Sequence, residues 1–334
     1  MKFEQVDQAS WDAFVESRGE ANFLHSWQWG SLHETLGDKV HRLGAYKDDK
    51  IVGVAAGIVK NARRSRYMEV PGGPLMDWEN EDLATRMVDE LADTAKQEKC
   101  VFVRVRPQTA DSSEARAKMN KLGFTEAKMH LHAQNTTVID LLQDEDKLLE
   151  NMRQQTRYEV RKSDKQDVKV SFASTKEQLK AFFDNQHSTA VRQGFIPPSM
   201  NFLSALLEAF GDNLRIYRAD KDGQLLTMAL IVVYGIEADY FEGASTLQGR
   251  KFPGAYGLQW QVIQDMKKLG LERYNLWGIT DGSSKHRYAG VTTFKRGFGG
   301  SDVNFVPAHD LVLNRPRYAV NWVIETVRKK SRGL

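Results

Sequence analysis

Apolar and polar positions alternate along "HRLGAYKDDKIVGVAAGIVK" (41–60), and again along "NLRIYRADKDGQLLTMALIVVY" (213–234). A period of two on either side of a charged turn, "KDDK" or "DKDGQ", predicts a strand–turn–strand unit in each place. Each is followed by a strand ending in an aromatic and small residues, "RYMEVPGGPLMD" and "ADYFEGAS". The period then lengthens to that of a helix in "EDLATRMVDELADTAKQEK" and "YGLQWQVIQDMKKLG". A short apolar strand closes each unit, "CVFVRV" and "RYNLWGI". Corresponding points lie about 173 residues apart, so the chain reads as an approximate duplication.

That order specifies the α+β class, with two mixed, twisted sheets flanked by helices. The first domain is expected over 1–145, returning through "TTVIDL" (136–141). The second is expected over 146–314, entered through a basic segment at 148–165 and the helix of "TKEQLKAFFDNQHSTAVRQG". A last helix, 315–334, carries Val320, Trp322, Val323 and Val327 as an apolar stripe, which predicts that it docks on the body. No heptad stretch is long enough for a coiled-coil arm.

Composition narrows the class without naming a reaction. The chain has 334 residues, enough for two ordinary cores, and is 41% hydrophobic and 27% charged, a globular balance. No apolar run is long enough to span a bilayer, and "MKFEQVDQASWDAF" shows no signal segment, so a cytoplasmic location is expected. The single cysteine, Cys100, excludes an internal disulfide and a thiolate zinc cluster; within "KCVFVRV" it reads as an inert core thiol. Net charge is only +3, which permits an anionic partner without diagnosing nucleic acid. Basic side chains cluster in "MRQQTRYEVRKSDK" (152–165) and "KNARRSR" (60–66), as solvated faces or as phosphate contacts.

Candidate chemistry concentrates in the second half. "LWGITDGSSKHRYAGVTTFKRGFGG" (276–300) runs from a strand through a polar, glycine-rich loop into a basic aromatic segment. There Lys295 lies between Phe294 and Phe298, so the rings can anchor the backbone while the ammonium faces a cleft and stabilises an oxyanion or holds a phosphate. Asp281 can accept a proton or cap a turn. Lys251, Gly254, Ala255 and Tyr256 match only loosely the loop by which acetyltransferases hold coenzyme A, because Tyr256 stands where a small residue is needed. The eight histidines are dispersed and build no triad or zinc site, so no metal or cofactor is expected.

In their order along the chain, "NFLHSWQWGSLHETLG", "EVPGGPLMD", "MRQQTRYEVRKSDKQDVKV", "AVRQGF", "YFEGAS", "YNLWGI" and "FKRGFGG" resemble the Fem family of peptidoglycan aminoacyltransferases, in its compact form. The resemblance covers about 22–300. It implies two tandem acetyltransferase-like (GNAT-type) domains, an aminoacyl-tRNA donor and an amine acceptor on a muramyl-pentapeptide precursor. If the acceptor is lipid-linked, peripheral contact with the inner membrane face follows. Lys295 matches the family lysine linked to phosphate positioning and transition-state stabilisation, and Tyr240 falls on an aromatic position of its cleft. Trp29, Arg192, Phe202 and Tyr256 join Tyr240 as expected substrate contacts. Arg157, Arg161 and Lys162 are expected tRNA contacts, and Glu242 and Asp281 are the candidate bases. An arginine and a tyrosine used by nucleotide-linked members fall on Pro198 and Phe202, another tyrosine on Glu242, and a lysine near Trp29 on Ser31 or His33. These departures favour a lipid-linked or otherwise altered acceptor, since proline offers no phosphate donor and Glu242 repels phosphate. The rival readings are a coenzyme-A-dependent N-acyltransferase and a nonenzymatic tRNA-binding protein.

Overall fold

The computed structural model describes residues 1–62, 65–129, 132–280 and 288–332. The chain divides into two compact units, one made of residues 1–134 with 304–334 and the other of 135–303.

The first unit opens with β1 (Lys2–Gln5), α1 (Gln8–Glu16) and α2 (Trp27–Thr35). The predicted hairpin follows as β2 (Lys39–Lys47) and β3 (Lys50–Asn61), then β4 (Arg66–Pro71) and β5 (Leu75–Met76). Next come α3 (Glu81–Gln97), β6 (Phe102–Arg106), α4 (Ser113–Lys121) and β7 (Phe124–Glu126). The hairpin turn places Asp48 and Asp49 at positive φ, a conformation that short polar side chains tolerate. Helix α3 begins where the Asn80 side chain accepts the Leu83 N–H, with Glu81 and Asp82 in its first turn facing the positive end of the helix dipole. Its Leu83, Met87, Val88, Leu91 and Ala95 bury against Val59, Met68, Val70, Val103 and Val105 of the sheet. Cys100 joins this core; burial pushes its thiol up to about 11, so it is inert as expected.

The second unit contains β8 (Asn135–Asp140), α5 (Glu145–Asn151), α6 (Gln154–Lys165), β9 (Lys169–Ala173), α7 (Lys176–Gln193) and α8 (Met200–Phe210). Its hairpin is β10 (Leu214–Lys221) and β11 (Gln224–Tyr234), followed by β12 (Glu237–Ser245), α9 (Gly254–Lys268), β13 (Arg273–Gly278), α10 (Ala289–Arg296) and β14 (Ser301–Asn304). The chain returns to the first unit with β15 (His309–Val312) and α11 (Arg315–Arg332).

Two expected boundaries move. The segment "TTVIDL", read as the end of the first domain, is β8, and it pairs with β13 in the second sheet. Conversely β15, placed by the sequence in the second domain, lies between β6 and β7 of the first sheet. The sheet orders are therefore β1-β2-β3-β4-β6-β15-β7 and β14-β8-β13-β12-β11-β10-β9. An apolar alternating run announces a strand but carries no record of its partner, so each sheet takes the strand that chain order assigns to the other.

Helix α11 docks on its own unit, but not through its apolar stripe. Arg104, 3% exposed, bridges Asp310 at 2.7 and 2.8 Å and reaches Glu325 at 3.0 Å, while Tyr318 Oη donates to Asp310 at 2.8 Å. Val320, Trp322, Val323 and Val327 are exposed.

One difference between the sheets positions the site. In the first, β4 and β6 run parallel and stay paired from Met68–Val103 to Pro71–Arg106, the last residues of both strands. In the second, the parallel β12–β13 ladder ends at Asp239–Asn275, and β12 continues alone on that side to Ser245.

Candidate functional site

Where β12 leaves β13, its register against β11 also slips: Ile231 faces Tyr240 but Leu230 faces Glu242, so Phe241 is an extra, bulged residue. Trp277 of β13 takes φ +62°, within a register shift between Asn275 and Gly278 against β8. The parting strands open a cavity of about 490 Å³ inside the second unit. Tyr240, Phe241 and Glu242 line it from β12, Thr189 from α7, and Phe294 and Lys295 from α10. Gly243 is needed here, since a Cβ on it would stand 1.9 Å from Tyr240 Oη.

Two oppositely charged side chains meet in this cavity. Lys295 is only 7% exposed; its Nζ donates to the Gly278 carbonyl at 2.8 Å and lies 5.5 Å from the Tyr240 ring centroid, a cation–π distance. Burial pulls its pKa down to about 8, against the pull of the Glu242 charge. Burial pushes Glu242 up to about 7, opposed by the Lys295 charge and by a 2.9 Å hydrogen bond from Gln186 Nε2. Both groups thus titrate within reach of neutrality, the condition under which a side chain exchanges a proton readily. Burial and the Glu242 charge raise Tyr240, which stays a neutral phenol.

The sequence reading missed Gln186. It is fully buried on α7, near Asn185, whose Nδ2 donates to Ala244 O at 2.9 Å. The available signal was an interrupted stripe: on the inward face that carries Leu179, Phe182 and Ala190, polar Asn185, Gln186 and Thr189 are also buried.

The other expected residues take varied places. Tyr256 packs its ring 5.1 Å from Phe294 and 6.0 Å from Phe298, in the aromatic cluster that seats α10 rather than on the cavity lining. Arg192 donates to Thr189 Oγ1 at 2.8 Å and Ser245 O at 2.9 Å, tying the end of α7 to the end of β12. Phe202 stacks behind the lining residue Phe241 at 6.4 Å. Trp29 belongs to the first unit, where it is 3% exposed and packs against Phe23, His33 and His132. Arg157 spends its Nη1 on the carbonyls of Leu149, Glu150 and Met152, closing the end of α5, which makes it structural. Arg161 is exposed, and Lys162 lies 3.7 Å from Glu159 and 5.9 Å from the Tyr158 ring centroid. Asp281 lies outside the described residues. Among the described residues no cluster of acidic, histidine or cysteine side chains has the arrangement of a metal site. The basic turn before α9 is close-packed: a Cβ on Gly249 would stand 1.9 Å from Leu226 O.

Known proteins resemble this chain along nearly its whole length. Along 98% of its length the chain is 22% identical to the lipid II:glycine glycyltransferase of Staphylococcus saprophyticus, covering 96% of that protein. It is 21% identical over 99% of its length to the aminoacyltransferase FemA of Staphylococcus aureus, covering all of it. The crystal structure of FemX superposes with a TM-score of 0.86 at 18% identity, over 96% of this chain and 99% of that one. The fold class is that expected, two tandem acetyltransferase-like domains with mixed sheets. The FemAB family profile matches residues 6–222 and 215–326, nearly the whole chain, which belongs to the FemAB family.

Proposed function

We propose that this protein is an aminoacyltransferase that moves an amino acid from aminoacyl-tRNA onto an amine of a lipid-linked muropeptide precursor, forming a peptidoglycan branch at the cytoplasmic face of the membrane. The observation that carries the reading is the buried Lys295–Glu242 pair in the cavity where β12 and β13 part. Its two relatives named above are a lipid II:glycine glycyltransferase and an aminoacyltransferase, which supports the reaction class.

The acceptor nitrogen forms a bond to the ester carbonyl carbon, and the bond from that carbon to the ribose oxygen breaks. One proton leaves the nitrogen and one reaches the ribose oxygen. Glu242 is the group of suitable pKa to take the first, and the Lys295 ammonium stabilises the tetrahedral oxyanion. Tyr240 and Phe241 wall the channel, and the ester is already activated, so alignment and charge stabilisation supply the rate. Arg161 and Lys162 on α6 remain the candidate tRNA backbone contacts.

The test is transfer of a labelled amino acid from charged tRNA to lipid-linked and nucleotide-linked muramyl pentapeptides, assayed side by side. The lipid-linked acceptor should be preferred. No transfer across a full amino-acid and acceptor panel by folded protein overturns the reading, and turnover of acetyl-coenzyme A without RNA replaces it.

A further inference from the structure

The outward face of α11 leaves Val320, Val323 and Val327 60%, 54% and 61% exposed. Their spacing puts the three valines on one side of the helix. The opposite side is held to the sheet by Glu325–Arg104 and Tyr318–Asp310, so the valines cannot turn inward without breaking those bonds. Within α11 six basic residues, Arg315, Arg317, Arg328, Lys329, Lys330 and Arg332, accompany a single acid, Glu325, whose carboxylate Arg104 already holds. Next to the helix, Arg317 and Val320 share a shallow cleft with Lys99, which is exposed. Trp322 lies roughly 130° around the helix from the valines, its ring centroid 4.8 Å from Lys128 Nζ, and is not part of this face.

This combination selects among partners. An RNA backbone would use the cations and stack on aromatic planes, leaving a valine stripe in water. A second copy presenting the same face would set cations against cations. A water–lipid boundary accepts both parts of this face: valines enter the acyl margin, and flanking arginines and lysines reach anionic headgroups. No helix among the described residues is long and apolar enough to cross a membrane, so α11 would lie in the interface plane. We propose that α11 is an in-plane membrane-binding helix, and that the first unit rests on an anionic phospholipid surface through Val320, Val323 and Val327, with Arg317 and Lys99 facing the lipid phosphates.

The test is co-sedimentation of the full chain with phosphatidylcholine vesicles, with and without about one-quarter phosphatidylglycerol. Neither tRNA nor muropeptide is present, so the outcome is independent of the proposed transfer reaction. Binding should need the anionic lipid, and the triple variant Val320→Asp, Val323→Asp, Val327→Asp should weaken it about tenfold or more. Because the three positions are exposed, the variant should keep the parent's circular dichroism and melting temperature. Absence of binding by the parent chain, or undiminished binding by the folded variant, overturns the proposal. So does self-association in light scattering that the variant abolishes, which would assign the face to a second copy. Loss of tRNA affinity in the variant, with vesicle binding intact, would assign it to RNA and equally overturn the proposal.

Discussion

Glu69 and Glu242 are both withdrawn from solvent on the central strand of a sheet, yet their surroundings drive them in opposite directions. Burial would raise Glu69, but a hydrogen bond from His132 at 3.0 Å, with the charges of His132, Lys60 and His33, outweighs it and lowers its pKa. Burial raises Glu242 to about 7 because the single ammonium of Lys295 and the Gln186 amide offset only part of the penalty. The sheets differ in the same sense. Paired to its end, β4 leaves Glu69 within a zipped ladder, whereas β12 parts from β13 and leaves Glu242 facing a cavity. A satisfied carboxylate stabilises its unit, while an under-compensated one keeps a proton exchangeable near neutral pH.

The comparison is most exposed to breakage at Lys295. Lys295→Met should lower the transfer rate about tenfold to a thousandfold without unfolding the protein, the scale of a lost transition-state contact. The matching change near Glu69, Lys60→Met, should cost about 1 kcal/mol of stability and leave the rate of the folded enzyme alone. Single-turnover rates and urea unfolding on both variants read the contrast; an unchanged rate in Lys295→Met removes the assigned role.

Next in size is the turn that carries the chain from β12 to α9. Gly249→Ala drives a Cβ into the Leu226 carbonyl, and either the turn or β11 must move. A loss of about 2–4 kcal/mol in unfolding free energy is expected. A melting temperature equal to the parent's would mean the two segments separate freely.

Smaller effects distinguish the two carboxylates. Glu242→Gln should stabilise the protein at pH 8 by about 1 kcal/mol while slowing transfer, because it removes an under-compensated charge. Glu69→Gln should destabilise by about 1–3 kcal/mol, leaving His132 without its charged partner. Denaturant titrations of the pair settle the sign.

The pH dependence sharpens the same point. Glu242 has a folded pKa near 7, above the usual 4.5, so the native state holds the extra proton and stability falls as pH rises between those values. The slope approaches about 1 kcal/mol per pH unit and should vanish in Glu242→Gln. For Glu69, depressed below the usual value, the contribution is present above the usual range and lost as pH falls through the lowered one. Glu242→Gln should therefore lose the decline in unfolding free energy between about pH 4.5 and 7, and Glu69→Gln the decline on the acid side of 4.5.

Periodicity carried the hairpins and the amphipathic α3 and α9 into view, because each depends on faces set by neighbours along the chain. Lys295 was legible because flanking phenylalanines fix which side of α10 it takes. What stayed hidden depends on partners far away in sequence. The exchange of β8 and β15 between sheets is one case. The inward face of α11 is another: charged Glu325 turns in because Arg104 awaits it, and the valines turn out. Arg157 looked like a surface cation because the turn that delivers three carbonyls to it has no sequence mark. Equal spacing does not fix equal register. Tyr67-x-Glu69 and Tyr240-x-Glu242 share one offset, yet the hairpin counterparts Ile58 and Val232 face Glu69 and Asp239 respectively, so the two glutamates occupy different rungs.

Strand β15 fills the slot between β6 and β7, and it is made only after the whole second unit. During synthesis the earlier half must therefore wait with an open seam while some 170 later residues emerge and settle. Until His309–Val312 arrive, Arg104 has no Asp310 to neutralise it and the edges of β6 and β7 lie bare. A nascent chain stalled before that point would carry one finished half and one that invites capture by a chaperone, so the fate of the first-born part is decided by the last one born.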